Sequence, residues 1–277
     1  MRKVVLGRDS PILDRETPPG VAGFSCLSDT SLIFGTVYYA EGLNNPTVVV
    51  CHGFPSIDKN NDIAFILRQA GFNVVIFSYR GAWGSGGGFS FYGAVEDTIN
   101  ILHHIAQKKT DLTSRFDSER IILMGHSMGV FVALKAAAAF KNVRDIALCA
   151  AWNIGADATL MTRNAEDRTR VDFILGGAGR LAGASRSSLL NEMLQHADDY
   201  DLRRDVPSLC GRNVLLVGAS EDVLTPINLH HNVLASEMRK YKECLLTEKI
   251  LPCDHVFTSK RNALYRVILK WLEACGY

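Results

Sequence analysis

The apolar run Ile121-Ile122-Leu123-Met124 passes directly into Gly125-His126-Ser127-Met128-Gly129, and then into a stretch rich in Ala and Leu from Val130 to Phe140. The run reads as a buried strand and the stretch as a helix, so the chain must reverse direction within the five residues between them. Glycines bracket that turn because a Cβ at either place would collide with neighbouring backbone. Ser127, at its apex, is pushed outward and becomes a candidate nucleophile.

The same strand-then-helix rhythm runs through most of the chain. Apolar, β-branched runs recur at Leu32–Tyr39, Thr47–Cys51, Asn73–Tyr79, Arg120–Met124, Asp145–Ala150, Asn213–Val217 and Leu245–Leu251. Amphipathic stretches of helical length lie between most of them, at Asp62–Ala70, Tyr92–Lys108, Ser127–Phe140 and Ile227–Met238, and a last one spans Phe257–Ala274. Such alternation predicts an α/β fold, a mostly parallel central sheet with helices on both faces. A further short run at Lys3–Leu6 precedes Leu32 with no helix between, so the sheet is expected to begin with antiparallel strands. From about Asn153 to Asp205 the rhythm stops: charges are frequent, Gly176-Gly177-Ala178-Gly179 intervenes, and no strand is evident. This segment reads as a helical cap, residues 153–205, inserted in a single domain of residues 1–277.

Bulk properties exclude several function classes. With 277 residues, 47% of them hydrophobic, the chain can bury one large core. Thirty basic residues against twenty-nine acidic ones leave a net charge of +1, which is no electrostatic footprint for nucleic acid or an anionic membrane. No apolar stretch approaches the roughly 20 residues that a bilayer span needs, and charge interrupts the first nine residues too early for a signal peptide, so a cytoplasmic location is expected. The seven Cys (26, 51, 149, 210, 244, 253 and 275) lack the paired short spacing of zinc sites and read as reduced thiols. Cys51 and Cys149 lie in apolar runs as small hydrophobes, while Cys253, two residues before His255, is the one with a conceivable reactive role.

A serine hydroxyl needs a base within hydrogen-bond reach and a third group to orient that base. Asp222 follows the run Asn213–Val217 in a loop that ends at Pro226, and His255 follows Leu245–Leu251 just before the last helix. The chain order Ser127, Asp222, His255 is the one that a strand-turn-helix nucleophile uses. Glu221 and Asp254 compete for the acid role, although Asp254 adjoins His255 and neighbouring side chains tend to point apart. For the developing oxyanion, His52-Gly53-Phe54-Pro55 at the end of Thr47–Cys51 offers the amide of Phe54, and the amide of Met128 opens the helix after the nucleophile. His52 reads as a side chain that stabilises the turn.

These motifs, in this order, resemble those of the α/β-hydrolase fold serine hydrolases over almost the whole chain. A second segment, Phe77-Ser78-Tyr79-Arg80-Gly81-Ala82-Trp83-Gly84-Ser85-Gly86-Gly87 with Ala94-Val95-Glu96-Asp97 after it, is similar to the catalytic domains of the prolyl oligopeptidase and acylaminoacyl peptidase group and to related esterases. The resemblance implies a small-molecule ester or thioester substrate, an acyl-enzyme, and neither metal nor organic cofactor. A nucleotide loop is not indicated at Gly84–Gly88, because the Lys-Ser/Thr pair is missing; Tyr79 and Arg80 read as braces of the strand end. Haloalkane dehalogenase and epoxide hydrolase relatives use Asp where this chain has Ser127.

Phe54, Trp83, Tyr92 and Trp152 are candidates to line an apolar pocket, and Arg163, Arg168 and Arg170 either meet an acidic substrate or form a solvated face. Two other functions stay open at this level: a peptidase acting on short peptides, and a ligand-binding homologue with a silent triad. Neither the physiological substrate nor the oligomeric state, with a homo-oligomer as one option, follows from the sequence.

Overall fold

The strands are β1 (Gly20–Ser28), β2 (Ser31–Tyr39), β3 (Asn45–Cys51), β4 (Asn73–Phe77), β5 (Phe116–His126), β6 (Asp145–Cys149), β7 (Asn213–Ala219) and β8 (Leu245–Leu251). They come from a computed structural model that describes residues 1, 2, 4, 6, 11–56, 60–107 and 113–277. All eight join one sheet in the order β1-β2-β4-β3-β5-β6-β7-β8. β1 pairs antiparallel with β2, and β2 with β4; every later pairing is parallel.

The pleat divides each central strand between two apolar layers. Val49, Ile121, Leu123, Ile146, Leu148, Val214 and Leu216 face one layer, while Val48, Val50, Ile122, Met124, Ala147, Leu215 and Val217 face the other. The first layer is closed by α2 (Phe91–Ala106) and α3 (Met128–Ala139), the second by α1 (Asn61–Gln69) and α8 (Arg261–Ala274). Burial on both sides is why these strands read as continuous apolar runs rather than as alternating ones.

The antiparallel start is present, but its first strand is not the expected one. β1 and β2 form a hairpin with Ser28 opposite Ser31 and Asp29 at φ 51°, a backbone that Asp tolerates in a tight turn. β1 escaped the sequence reading because it is an edge strand carrying Gly20, Gly23, Ser25 and Ser28, with alternate side chains exposed. Of the expected strand at Lys3–Leu6, Lys3 and Val5 lie outside the described residues, as does Lys108 at the end of the helix expected over Tyr92–Lys108. Two helices begin later than their periodicity suggests. α7 (His231–Met238) waits for a turn in which the amides of Leu229 and His230 bond the Pro226 carbonyl, and α8 waits because Phe257 is left-handed at φ 57°.

Between β6 and β7 lie α4 (Ile154–Leu160), α5 (Ala165–Leu175), a 3-10 turn at Gly176–Arg180, α6 (Arg186–Gln195) and a second 3-10 segment at Leu202–Leu209. Asn153 anchors this insertion: its Oδ1 accepts from the amides of Ala156 and Leu202, and its Nδ2 donates to Asp201. The Gly-rich stretch after β4 is tied to the insertion through backbone, with the amide of Ala182 bonding Gly81 and that of Phe89 bonding Ala182.

Asp97, fully buried on α2, holds that stretch from beneath. It accepts from Ser28 Oγ and from the Arg80 amide, each at 2.6 Å, and lies 2.7 Å from Arg80 Nε. Burial raises its carboxyl, and the Arg80 and Ser28 contacts oppose that rise without cancelling it. Replacing Asp97 by Ala leaves the buried Ser28 hydroxyl and the Arg80 amide without their acceptor and strips a half-buried guanidinium of its innermost partner, leaving it Glu96 and the Gly93 carbonyl. Urea unfolding of Asp97→Ala is expected to show a loss of about 3 kcal/mol, and that of Asp97→Asn a smaller one.

Candidate active site

The carboxyl ends of β3, β5, β6, β7 and β8 lie along one edge of the sheet, and the sequence-predicted residues follow directly from them. The chain leaves β3 for β4 on one side and returns through α2 to β5 on the other, so a crevice opens between the ends of β3 and β5. The turn His52–Pro55 stands on one lip of that crevice and Ser127 on the other.

Ser127 occupies φ 58°, ψ −123°, a conformation that costs a non-glycine residue about 1–3 kcal/mol. The surroundings enforce it. Its amide bonds the Cys149 carbonyl at 3.0 Å, and its own carbonyl accepts from Val130 at 3.0 Å and Trp152 at 3.3 Å. The turn is tight enough that a Cβ on Gly125 would lie 2.2 Å from the Gly129 carbonyl oxygen, and one on Gly129 would lie 1.9 Å from that of Cys51.

His255 Nδ1 lies 2.6 Å from Asp222 Oδ2, with the imidazole N–H donating to the carboxylate, which leaves Nε2 as the acceptor. Asp222 also accepts from the amides of Leu224 and Thr225 and from Thr225 Oγ1. Burial alone would raise this carboxyl; the hydrogen bonds from His255 and Thr225 outweigh it and hold Asp222 below the ordinary carboxylate range. The competing acids lie elsewhere, since Asp254 accepts from the Thr258 amide and Glu221 is exposed.

Ser127 and His255 line the same cavity of about 310 Å³. Among the described residues no hydrogen bond joins their side chains, a contact that in free enzymes is often long and tightens when substrate enters. The cavity wall is mainly apolar, built from Phe54, Pro55, Trp152, Ile174, Leu224 and Val256. The amides of Phe54 and Met128 donate to no protein acceptor among the described residues.

Of the other expected pocket residues, Trp152 is in the wall, whereas two corrections apply. Trp83 does not line the cavity; its Nε1 donates to the Pro55 carbonyl at 2.8 Å and so braces the turn from outside. Tyr92 is exposed at the start of α2 and lines a separate cavity with Phe131 and Tyr200. His52 does stabilise its turn, with Nδ1 donating to the Gly53 carbonyl at 2.8 Å and the ring packed 4.2 Å from that of Tyr79. Cys253 is buried and burial raises its thiol, which makes it a poor nucleophile.

A family model for the alpha/beta hydrolase family matches residues 48–265, most of the chain. The chain belongs to that family. Solved structures share the fold of this alpha/beta hydrolase at low identity. The Pyrococcus furiosus esterase Pf2001 superposes with a TM-score of 0.70 at 15% identity, over 98% of this chain and 96% of that one. Est1E from Butyrivibrio proteoclasticus, solved with ferulic acid bound, gives 0.68 at 14% identity over 91% and 98%. The acylaminoacyl peptidase of Pyrococcus horikoshii gives 0.68 at 15% identity over 94% of this chain, which spans 42% of the peptidase. No curated protein matches the chain.

Two residues of this alpha/beta hydrolase site went unnoticed in the sequence. Thr225 bonds both Asp222 and, at 3.2 Å, His255 Nδ1; the signal was Asp222 three residues before a Thr in a turn closed by Pro226. His126, beside Ser127, donates Nε2–H to the His255 carbonyl at 2.9 Å and so anchors the loop that carries His255. Burial, helped by the neighbouring His255, drives the His126 imidazole down to about 3. The folded chain therefore refuses a proton that the unfolded chain accepts below its ordinary value of 6.5. From pH 6.5 downward His126 is expected to lower stability by about 1.4 kcal/mol per pH unit. His126→Gln, which keeps an N–H donor but cannot titrate, should flatten that dependence in denaturant unfolding at pH 4.5 to 7.

Proposed function

We propose that the chain is a serine hydrolase that cleaves a carboxylic ester, or thioester, of a small molecule through an acyl-enzyme. One observation carries the reading: a serine on a strained turn and an aspartate-bound histidine face one small apolar cavity beside two unengaged amides. The esterase neighbours agree with it, as does the cavity size, which suits a small ligand.

In this mechanism Ser127 Oγ attacks the carbonyl carbon as its proton passes to His255 Nε2. The amides of Phe54 and Met128 hold the oxyanion. Collapse breaks the bond to the leaving oxygen or sulfur, which takes the proton from His255. Water then gives a proton to Nε2 and attacks the acyl carbon; release of the acid returns the proton to Ser127. Asp222 keeps the Nδ1–H tautomer throughout and stabilises the imidazolium formed in each half-reaction. The helical insertion of residues 153–205 acts as a cap over the acyl site, and no cofactor enters the cycle.

The test is turnover of a short-chain nitrophenyl ester. Ser127→Ala is expected to lower kcat at least a hundredfold and to abolish labelling by a fluorophosphonate, which the unmodified chain accepts. A smaller loss would mean that Ser127 is not the nucleophile. Faster release of nitroaniline from short peptide anilides than of nitrophenol from esters would move the assignment to a peptidase.

A further inference from the structure

Three arginines in the insertion were candidates to meet an acidic substrate, and none of them lines the cavity. Arg170 is committed elsewhere: it donates to Asp157 at 2.6 Å and to Asp167 at 2.8 Å, and it reaches the Leu224 carbonyl at 3.0 Å. Arg163 and Arg168 are exposed and absent from the cavity wall. The arginine that does line the cavity is Arg180, at the end of the 3-10 turn Gly176–Arg180.

That turn is seated by close packing. A Cβ on Gly177 would lie 2.7 Å from Pro55 Cγ and 3.4 Å from Phe54 Cε1, so only glycine lets the insertion rest directly on the oxyanion turn. Ala178 beside it is buried, and Arg180 emerges at the cavity mouth. Among the described residues Arg180 makes no hydrogen bond or ion pair, and no carboxylate lines the cavity. The other polar side chains there are Ser56, Thr225 and those of Ser127, His126 and His255, so among the described residues one positive charge faces a mostly apolar chamber without a counter-charge.

The geometry points to a substrate that carries a carboxylate besides the bond that is cleaved, a half-ester of a dicarboxylic acid or an ester of a hydroxy acid, with Arg180 as its anchor and specificity residue. A guanidinium presents a planar pair of N–H donors that matches a carboxylate. This inference rests on the hydrolase reading of the same site.

The test compares 4-nitrophenyl hydrogen glutarate with uncharged 4-nitrophenyl valerate at pH 7.5 and low salt. The charged ester is expected to show a kcat/KM about tenfold higher, mostly through KM, with the preference shrinking as salt is added because Arg180 is exposed. Arg180→Met should lower kcat/KM about tenfold for the charged ester and leave the neutral one within twofold, and Arg180→Lys should restore part of the loss. Half-esters from succinate to adipate measure the reach of the anchor, and carboxymethyl butyrate places the charge on the alcohol instead. Discrimination on either side of the bond that vanishes in Arg180→Met supports the assignment. Equal loss on charged and neutral esters, or no preference in either series while fluorophosphonate still labels Ser127, overturns it alone. Absence of both turnover and labelling overturns the hydrolase reading and this one with it.

Discussion

The site depends on how closely α3 can approach the end of β3. Helix α3 begins one residue after Ser127, and its second residue, Gly129, sits so near the Cys51 carbonyl that no side chain fits between them. That contact sets the distance between the lip that carries Ser127 and the lip that carries the Phe54 amide. It also forces Ser127 into its strained backbone, since the chain must turn from strand to helix without room to relax. Strain of this kind persists only where the surroundings hold it, and here the carbonyls and amides of Cys149, Val130 and Trp152 do so.

A second, polar layer of organisation couples the insertion to the acid loop. Asp157 on α4 is fully buried and accepts from Trp152 Nε1 at 2.7 Å as well as from Arg170, which also reaches Asp167 and the Leu224 carbonyl, two residues after Asp222. One ion pair thus ties the wall residue Trp152, helices α4 and α5, and the loop that carries the acid. Buried charges are tolerable only when every partner is present, so the insertion and the acid loop hold one another in register. His126 plays the matching part for the base by fixing the His255 carbonyl. The polar groups around the site therefore act chiefly on backbone, setting where each loop stands.

Much of this was legible because both-sided burial writes itself into sequence as unbroken apolar runs. The central parallel strands were readable in that way, β8 at the half-exposed edge was readable only as a mixed run, and the candidates Ser127, Asp222 and His255 stood out by following strand ends in a recognisable order. β1 was not, because an edge strand of small and polar residues lacks the apolar signal, and α7 and α8 start late because local turns at Pro226 and Phe257 override helical periodicity. Among the membrane-related readings, the structure adds that no helix among the described residues is long and apolar enough to cross a bilayer. The aromatic residues were the least legible part: Trp83, Tyr92 and Trp152 are chemically alike, yet one braces a turn, one is exposed over another cavity and one lines the site.

By itself the sequence determined the layered α/β architecture and the identity and chain order of the three proposed catalytic side chains, because both follow from local patterning: apolar periodicity and the residues that punctuate it. Only the tertiary structure decided which side chains share the cavity, since that depends on contacts between segments far apart in the chain. Arg170 and Arg180 lie ten positions apart and are equally basic, but one meets two carboxylates and the other, among the described residues, meets none. Arg170 meets Asp157 across the packing of α5 on α4, while the seat of Gly177 on Pro55 brings Arg180 to the cavity, and neither relation is encoded by one segment alone.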